Sequence, residues 1–181
     1  LTKELEVKVL GVDKQQIINK LEKIGAKKIK DEKQKNIILD TKDKRVENKY
    51  NGYLRIRTTK HNINNDYVEN VTLKTILSDK EYRENKELEV RIDNSENMFE
   101  IFEMLGLVTN YIGYKERISY EFEGILFEID TWDKDTYPET YMEIEIKDKK
   151  DLDRAIELLQ LDKSQLTTKS ITELRRDAGL E

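Results

Sequence analysis

Charged residues of one sign recur two positions apart along this sequence. Glu4 with Glu6, Glu87 with Glu89, Glu128 with Asp130 and Glu143 with Glu145 are acidic pairs, while Arg55 with Arg57 and Lys115 with Arg117 are basic ones. On a strand, residues i and i+2 lie about 6.5 to 7 Å apart on one face, so each pair concentrates like charge. Such carboxylates supply hard oxygen ligands for Mg²⁺ or Mn²⁺. Arginine forks phosphate oxygens, and lysine meets them as a point charge. For one strand taken alone, a solvated charged face is the commoner explanation. The set argues otherwise, because a solvated sheet is more stable with alternating signs. Sorting acids and bases onto different strands suits a face that lines a cavity for a ligand of both signs, such as a polyanion chelated to divalent cations. Neither sign could be buried alone, since an unpaired buried charge costs several kcal/mol or more.

The elements that must carry these pairs are legible in the alternation. In Lys3 to Leu10, Leu5, Val7 and Val9 oppose Glu4, Glu6 and Lys8, which makes a strand. Asp13 and Gln16 stand at capping-box spacing before a helix with an Ile17, Ile18, Leu21, Ile24 stripe that stops at Gly25. A long strand or bent pair is expected over Ala26 to Asp40, and a loop over Thr41 to Gly52. Alternation returns at Tyr53 to Thr59, Tyr67 to Leu77 and Tyr82 to Ile92. A second amphipathic helix covers Ser95 to Leu105. Ile112 to Phe122, Ile125 to Trp132 and Tyr141 to Lys147 read as further strands, the first two joined by a Glu123-Gly124 turn. Helices close the chain at Lys150 to Leu159 and Ile171 to Ala178, the latter opened by Ser170 and Glu173 at capping-box spacing. About eight strands and four or five helices with short connections predict a mainly antiparallel α+β fold. Eight such strands would close into a barrel wide enough for side chains or one small ligand, here with the apolar face outward under the helices and the ionic face inward.

Composition narrows the function. The 181 residues include 33 Lys plus Arg and 38 Asp plus Glu, a formal net charge of −5, with 39% charged against 36% hydrophobic residues. No Pro-, Gly- or Ser-rich linker divides the chain, so one domain over 1–181 is expected. No apolar run approaches the roughly 18 residues of a membrane span and no signal-peptide core opens the sequence, which predicts a cytoplasmic protein without membrane contact. The absence of cysteine rules out disulfides, thiolate zinc and a cysteine nucleophile, and the single histidine, His61, expected to be exposed in a polar loop, argues against His-rich metal sites. Any metal must be held by oxygens. Mild acidity argues against a duplex nucleic-acid binder, and no dinucleotide or P-loop glycine fingerprint is present.

The ordered set resembles a known family. Glu4-Leu5-Glu6-Val7-Lys8 on the first strand resembles the E-x-E-x-K signature of the CYTH superfamily, the triphosphate tunnel metalloenzymes. Leu54-Arg55-Ile56-Arg57, Thr72-Leu73-Lys74, Glu87-Leu88-Glu89, Lys115-Glu116-Arg117, Phe127-Glu128-Ile129-Asp130, Met142-Glu143-Ile144-Glu145 and Lys169-Ser170 follow in order over nearly the whole chain. The likeness is greatest to the branch that includes class IV adenylyl cyclases and thiamine-triphosphate hydrolases. It implies an eight-stranded tunnel binding an inorganic, nucleoside or thiamine triphosphate with Mg²⁺ or Mn²⁺. Lys8, Arg55, Arg57, Lys74, Lys115, Arg117 and Lys169 would hold the triphosphate. Glu4, Glu6, Asp130, Glu143 and Glu145 would hold metal, with Glu87, Glu89 and Glu128 as outer or second-metal ligands, and Lys8, Glu4 and Glu6 would serve catalysis directly. Attack by water would make a triphosphatase. Attack by the ribose 3′-hydroxyl of ATP on the α-phosphate would make an adenylyl cyclase, and a polyphosphate-sequestering module without turnover is the reading from another class. A homodimer is compatible with this branch. One departure is Asn85, where relatives often carry an arginine two residues before this E-x-E, with Arg83 one pleat further back.

Overall fold

The computed structural model describes residues 2–180. Its strands are β1 (Thr2–Val9), β2 (Lys27–Thr41), β3 (Gly52–His61), β4 (Tyr67–Asp79), β5 (Arg83–Ile92), β6 (Leu107–Phe122), β7 (Ile125–Trp132), β8 (Tyr141–Ile146) and the two-residue β9 (Leu166–Thr167). The helices are α1 (Lys14–Lys23), α2 (Arg45–Tyr50), α3 (Ser95–Met104), α4 (Lys149–Leu159) and α5 (Ile171–Asp177). The strands run β5-β4-β3-β2-β6-β7-β8-β1, every pair antiparallel, and β1 pairs back onto β5 to close an eight-stranded barrel. On the edge of β1 where β5 ends at Glu6↔Arg83, β9 takes over at Lys8↔Thr167 and leads the chain toward α5.

The apolar core lies outside the barrel wall. Val7 and Val9 of β1, Phe127 and Ile129 of β7, and Met142 and Ile144 of β8 pack against Ile17 and Leu21 of α1 and Leu152, Ala155 and Leu159 of α4. The alternate residues of the same strands, Glu6 and Lys8 on β1 and Glu128 and Asp130 on β7, are buried on the other side. Hydrophobic burial of roughly 1.5 to 3 kcal/mol per large side chain therefore holds the helices to the wall. It leaves the interior to charged groups with a minority of aromatic and aliphatic side chains.

Local signals place the helices. Asp13 accepts from the Gln16 amide at 2.8 Å to start α1, Asn94 and Asp148 cap α3 and α4, and Ser170 with Glu173 forms the full capping box on α5. The region expected to be a loop, Thr41 to Gly52, contains α2. Its cap comes from several residues upstream: the Asp40 carboxylate accepts from Val46 N at 2.8 Å and Glu47 N at 2.9 Å. His61 also departs from expectation, for it ends β3 and sets Nδ1 3.2 Å from Glu32 Oε1. The β6 strand begins five residues earlier than the alternation suggests, its first residues pairing with β2 beyond a bulge at Ile38/Leu39.

Gly113 of β6 permits a close approach that shapes one end of the barrel. A Cβ there would stand 2.7 Å from Thr136 Oγ1 and 2.9 Å from Trp132 Cζ3. Gly113→Ala is expected to destabilise the fold by about 1 to 3 kcal/mol through overpacking, measured as a lowered urea midpoint with an unchanged slope.

Candidate functional site

The barrel encloses a cavity of about 270 Å³. Thirteen of the residues singled out by charge and spacing line it: Glu4, Glu6, Lys8, Arg55, Arg57, Lys74, Glu87, Glu89, Lys115, Arg117, Glu128, Glu143 and Glu145. Asp130, wholly buried, stands behind them and binds Lys115 and Arg117. Strand alternation alone accounts for this convergence, because each i, i+2 pair turns to the same side of a closed sheet.

Lys169 is the exception. Ser170 turns its side chain toward the N-terminus of α5 and lines the cavity. The preceding Lys169 faces solvent, where Nζ meets Asp177 at 2.6 Å with half of each side chain exposed. Lys169, expected in the triphosphate-holding set, thus stands outside the cavity in this conformation.

Alternation did not single out Arg83, Asn85, Lys30, Tyr53, Tyr111, Trp132 and Tyr141, which also line the cavity. Helix α5 lies across the end that holds the aromatics. Its Glu173 accepts from Arg83 Nη2 at 2.7 Å, Arg175 donates to the Thr136 carbonyl at 2.5 Å, Arg176 meets Glu47 of α2 at 2.8 Å, and Ile171 lines the cavity. Burial alone would raise the Glu173 carboxyl, but hydrogen bonds from the Ser170 amide and hydroxyl and the charge of Arg83 hold it at about 2. A carboxyl depressed below its unfolded value stabilises the fold above that value and loses the contribution as pH falls through the folded one. Glu173→Gln is therefore expected to lower Tm at pH 7, with the gap to the unsubstituted protein narrowing between about pH 4.5 and pH 2. Thermal melts across that range check it.

The charges inside fall into three groups. Lys74 bridges Glu4, Glu6 and Glu87 at 3.2, 3.0 and 3.0 Å. Lys8 meets Glu143 at 3.0 Å and Glu6 at 3.5 Å. Arg117 forks Asp130 at 2.7 and 2.6 Å, reaches Glu143 at 2.7 Å and contacts Glu128. Burial disfavours charge on all of them, yet these partners keep Lys8, Lys74 and Arg117 above their ordinary values and Glu6 and Glu143 below theirs.

Two regions remain unbalanced. Arg55 and Arg57 have no carboxylate partner among the described residues, and their side chains reach only Tyr53, Thr72 and Asn36. Burial, then Arg55 and Arg117, pushes Arg57 down to about 10. Burial, then Arg117, pushes Lys115 down to about 7 in spite of Asp130, with Arg57 adding to the shift. Positive charge is thus in local excess here. Negative charge is in excess around Glu145, which burial and the nearby Glu128 and Glu4 push up to about 8. Burial and the neighbouring Glu87 and Glu6 likewise raise Glu4, against the pull of Lys74.

The sequence matches the CYTH domain family over residues 2–177, nearly the whole chain. This chain belongs to the CYTH domain family. CYTH proteins share the triphosphate tunnel fold and are typically triphosphatases or cyclase-like enzymes, generally dependent on divalent metal. This CYTH chain superposes on the PH1012 protein of Pyrococcus horikoshii OT3 with a TM-score of 0.78 and 26% identity, covering 94% of this chain and 98% of that one. It matches a Hippeastrum adenylyl cyclase candidate, HpAC1, reported to have a dominant triphosphatase activity, with a TM-score of 0.70 and 17% identity over 97% and 96% of the two chains. A Vibrio parahaemolyticus adenylate cyclase candidate gives 0.72 and 14% over 96% and 97%. No curated protein matches the sequence. No helix among the described residues is long and apolar enough to cross a membrane.

Donor chemistry in this CYTH tunnel fits a hard divalent cation, since every acidic ligand is a carboxylate and Glu145 and Glu4 repel their acidic neighbours. Among the described residues no three carboxylates or imidazoles are already grouped to hold one.

Proposed function

We propose that this CYTH protein is a divalent-metal-dependent enzyme, contained in one domain over 1–181, that holds a triphosphate in its tunnel and cleaves it by phosphoryl transfer to water. The observation that supports this reading is the cationic group of Arg55, Arg57 and Lys115, which lacks enough local negative charge and faces the same cavity as an acidic group lacking positive charge. A metal-bound triphosphate supplies both deficits at once.

In this reading Arg55, Arg57, Lys115, Arg117 and Lys74 bind phosphate oxygens and fix the chain of phosphates along the tunnel. Glu4, Glu6, Asp130, Glu143 and Glu145 would hold the cation, with Glu87, Glu89 and Glu128 in outer positions. When bound, Mg²⁺ or Mn²⁺ supplies Lewis-acid polarisation of a phosphoryl oxygen. Lys8, kept charged by Glu143 and Glu6, neutralises negative charge that develops as the phosphoryl bond breaks.

Hydrolysis is the first activity to assay, because the Hippeastrum protein of the same fold is reported to have a dominant triphosphatase activity. The test is a product-resolved screen with inorganic triphosphate, ATP and thiamine triphosphate in Mg²⁺ and in Mn²⁺. Orthophosphate release that stops on chelation and resumes on adding metal is the expected outcome. Cyclic AMP with pyrophosphate would replace hydrolysis by cyclisation, and tight binding without any product would make the protein a sequestering module.

A further inference from the structure

Asn85 of β5 is completely buried, lines the cavity, and has no hydrogen-bond partner at either Oδ1 or Nδ2. Buried amides are almost always paired, so one left open at both ends points to a ligand that supplies a donor and an acceptor together. Phosphoryl oxygens are acceptors only. Phosphate alone would satisfy Nδ2 and a cation alone would satisfy Oδ1, whereas one group that presents a donor beside an acceptor satisfies both ends at once.

The wall beside Asn85 is charged on one side and apolar on the other. Asn85 is the neutral member of the β5 run Arg83, Asn85, Glu87 and Glu89, and its cross-strand neighbours are Glu4 on β1 and Ile76 on β4. Ile76 lines the cavity together with Tyr53, Tyr111 and Ile171, and Ile171 belongs to the helix across the aromatic end. Those side chains are among the uncharged members of an otherwise ionic lining.

We infer that Asn85 is a specificity-determining residue that reads the organic half of the substrate, an aminated nitrogen heterocycle presenting an amino donor beside a ring-nitrogen acceptor. Such an edge matches a carboxamide in two parallel hydrogen bonds, as asparagine matches adenine. The inference rests on the triphosphate reading above and narrows its substrate class to triphosphates carrying such a ring, as ATP and thiamine triphosphate do.

The test compares kcat/KM for ATP and thiamine triphosphate with kcat/KM for inorganic triphosphate in the unsubstituted protein and in Asn85→Leu. Leucine is close in size and removes two unsatisfied polar groups, so the melting temperature is expected to hold. For the favoured organic substrate, the ratio of organic to inorganic is expected to fall about tenfold or more, the scale of one bidentate amide pair. Asn85→Ser provides the same ratio if the leucine variant does not fold. A ratio within about twofold of the unsubstituted protein overturns the inference, because Asn85 would then touch only phosphate, metal or an ordered water. Turnover of inorganic triphosphate alone by the unsubstituted protein also overturns it while sparing the triphosphate reading. Neither binding nor turnover of any of the three removes both.

Discussion

Arg57→Ala is expected to lower kcat/KM for the triphosphate by about 100-fold or more, the loss typical when one preorganised donor to developing negative charge is removed. It is expected to do so without loss of thermal stability. The side chain makes one hydrogen bond, Nε to Asn36 Oδ1 at 2.9 Å, and it shares its surroundings with Arg55 and Arg117, whose charges oppose its own. Its removal relieves repulsion in the free protein. A structural arginine would behave in the opposite way, with a large fall in Tm and only a proportionate fall in activity. Paired melts and steady-state kinetics separate the two, and a variant with undiminished kcat/KM would exclude Arg57 from the phosphate-binding set.

Arg117→Met should show the contrary pattern. Arg117 forks Asp130, reaches Glu143 and contacts Glu128, so its removal leaves buried carboxylates with less compensation. Breaking a buried pair in this way costs about 3 to 5 kcal/mol. The expected result is a fall of that size in unfolding free energy by urea denaturation. Asp130→Asn in the same chain should recover part of it, since the amide no longer brings a buried charge for which Lys115 is the one remaining salt-bridge partner among the described residues. A loss below about 1 kcal/mol would mean that the acidic cluster does not depend on Arg117 for its stability. Together the two variants separate a lining cation on which the fold also depends, Arg117, from one that it holds for the ligand alone, Arg57.

Much of the tunnel lining is legible in the sequence, because strand alternation is a local property with a fixed period. Glu4, Glu6, Lys8, Arg55, Arg57, Lys115 and Arg117 could be assigned to one face from spacing alone, and closure of the sheet then brings those faces together. What spacing does not carry is the partner of each charge. Nothing in the order of residues says that Lys74 lies among Glu4, Glu6 and Glu87 while Arg57 has no acid beside it. Those pairings depend on register and shear across strands far apart in the chain. The same reason hides Asn85, whose meaning comes from both amide ends being open in a buried wall. Helix α2 was missed because its cap, Asp40, sits outside the usual cap position. Lys169 faces away from the cavity in this structure because Ser170, extended before α5, takes the inward-facing position.

The central claim is that the tunnel's uncompensated cations and anions form one binding site for a metal-bound triphosphate. Calorimetric titration of the protein with inorganic triphosphate, in Mg²⁺ and again after chelation, tests it most directly when repeated on the Arg55→Ala, Arg57→Ala double variant. Saturable one-to-one binding that strengthens with Mg²⁺ and is lost in the double variant is the predicted result. Absence of binding in the unsubstituted protein, or equal binding in the double variant, would contradict the account.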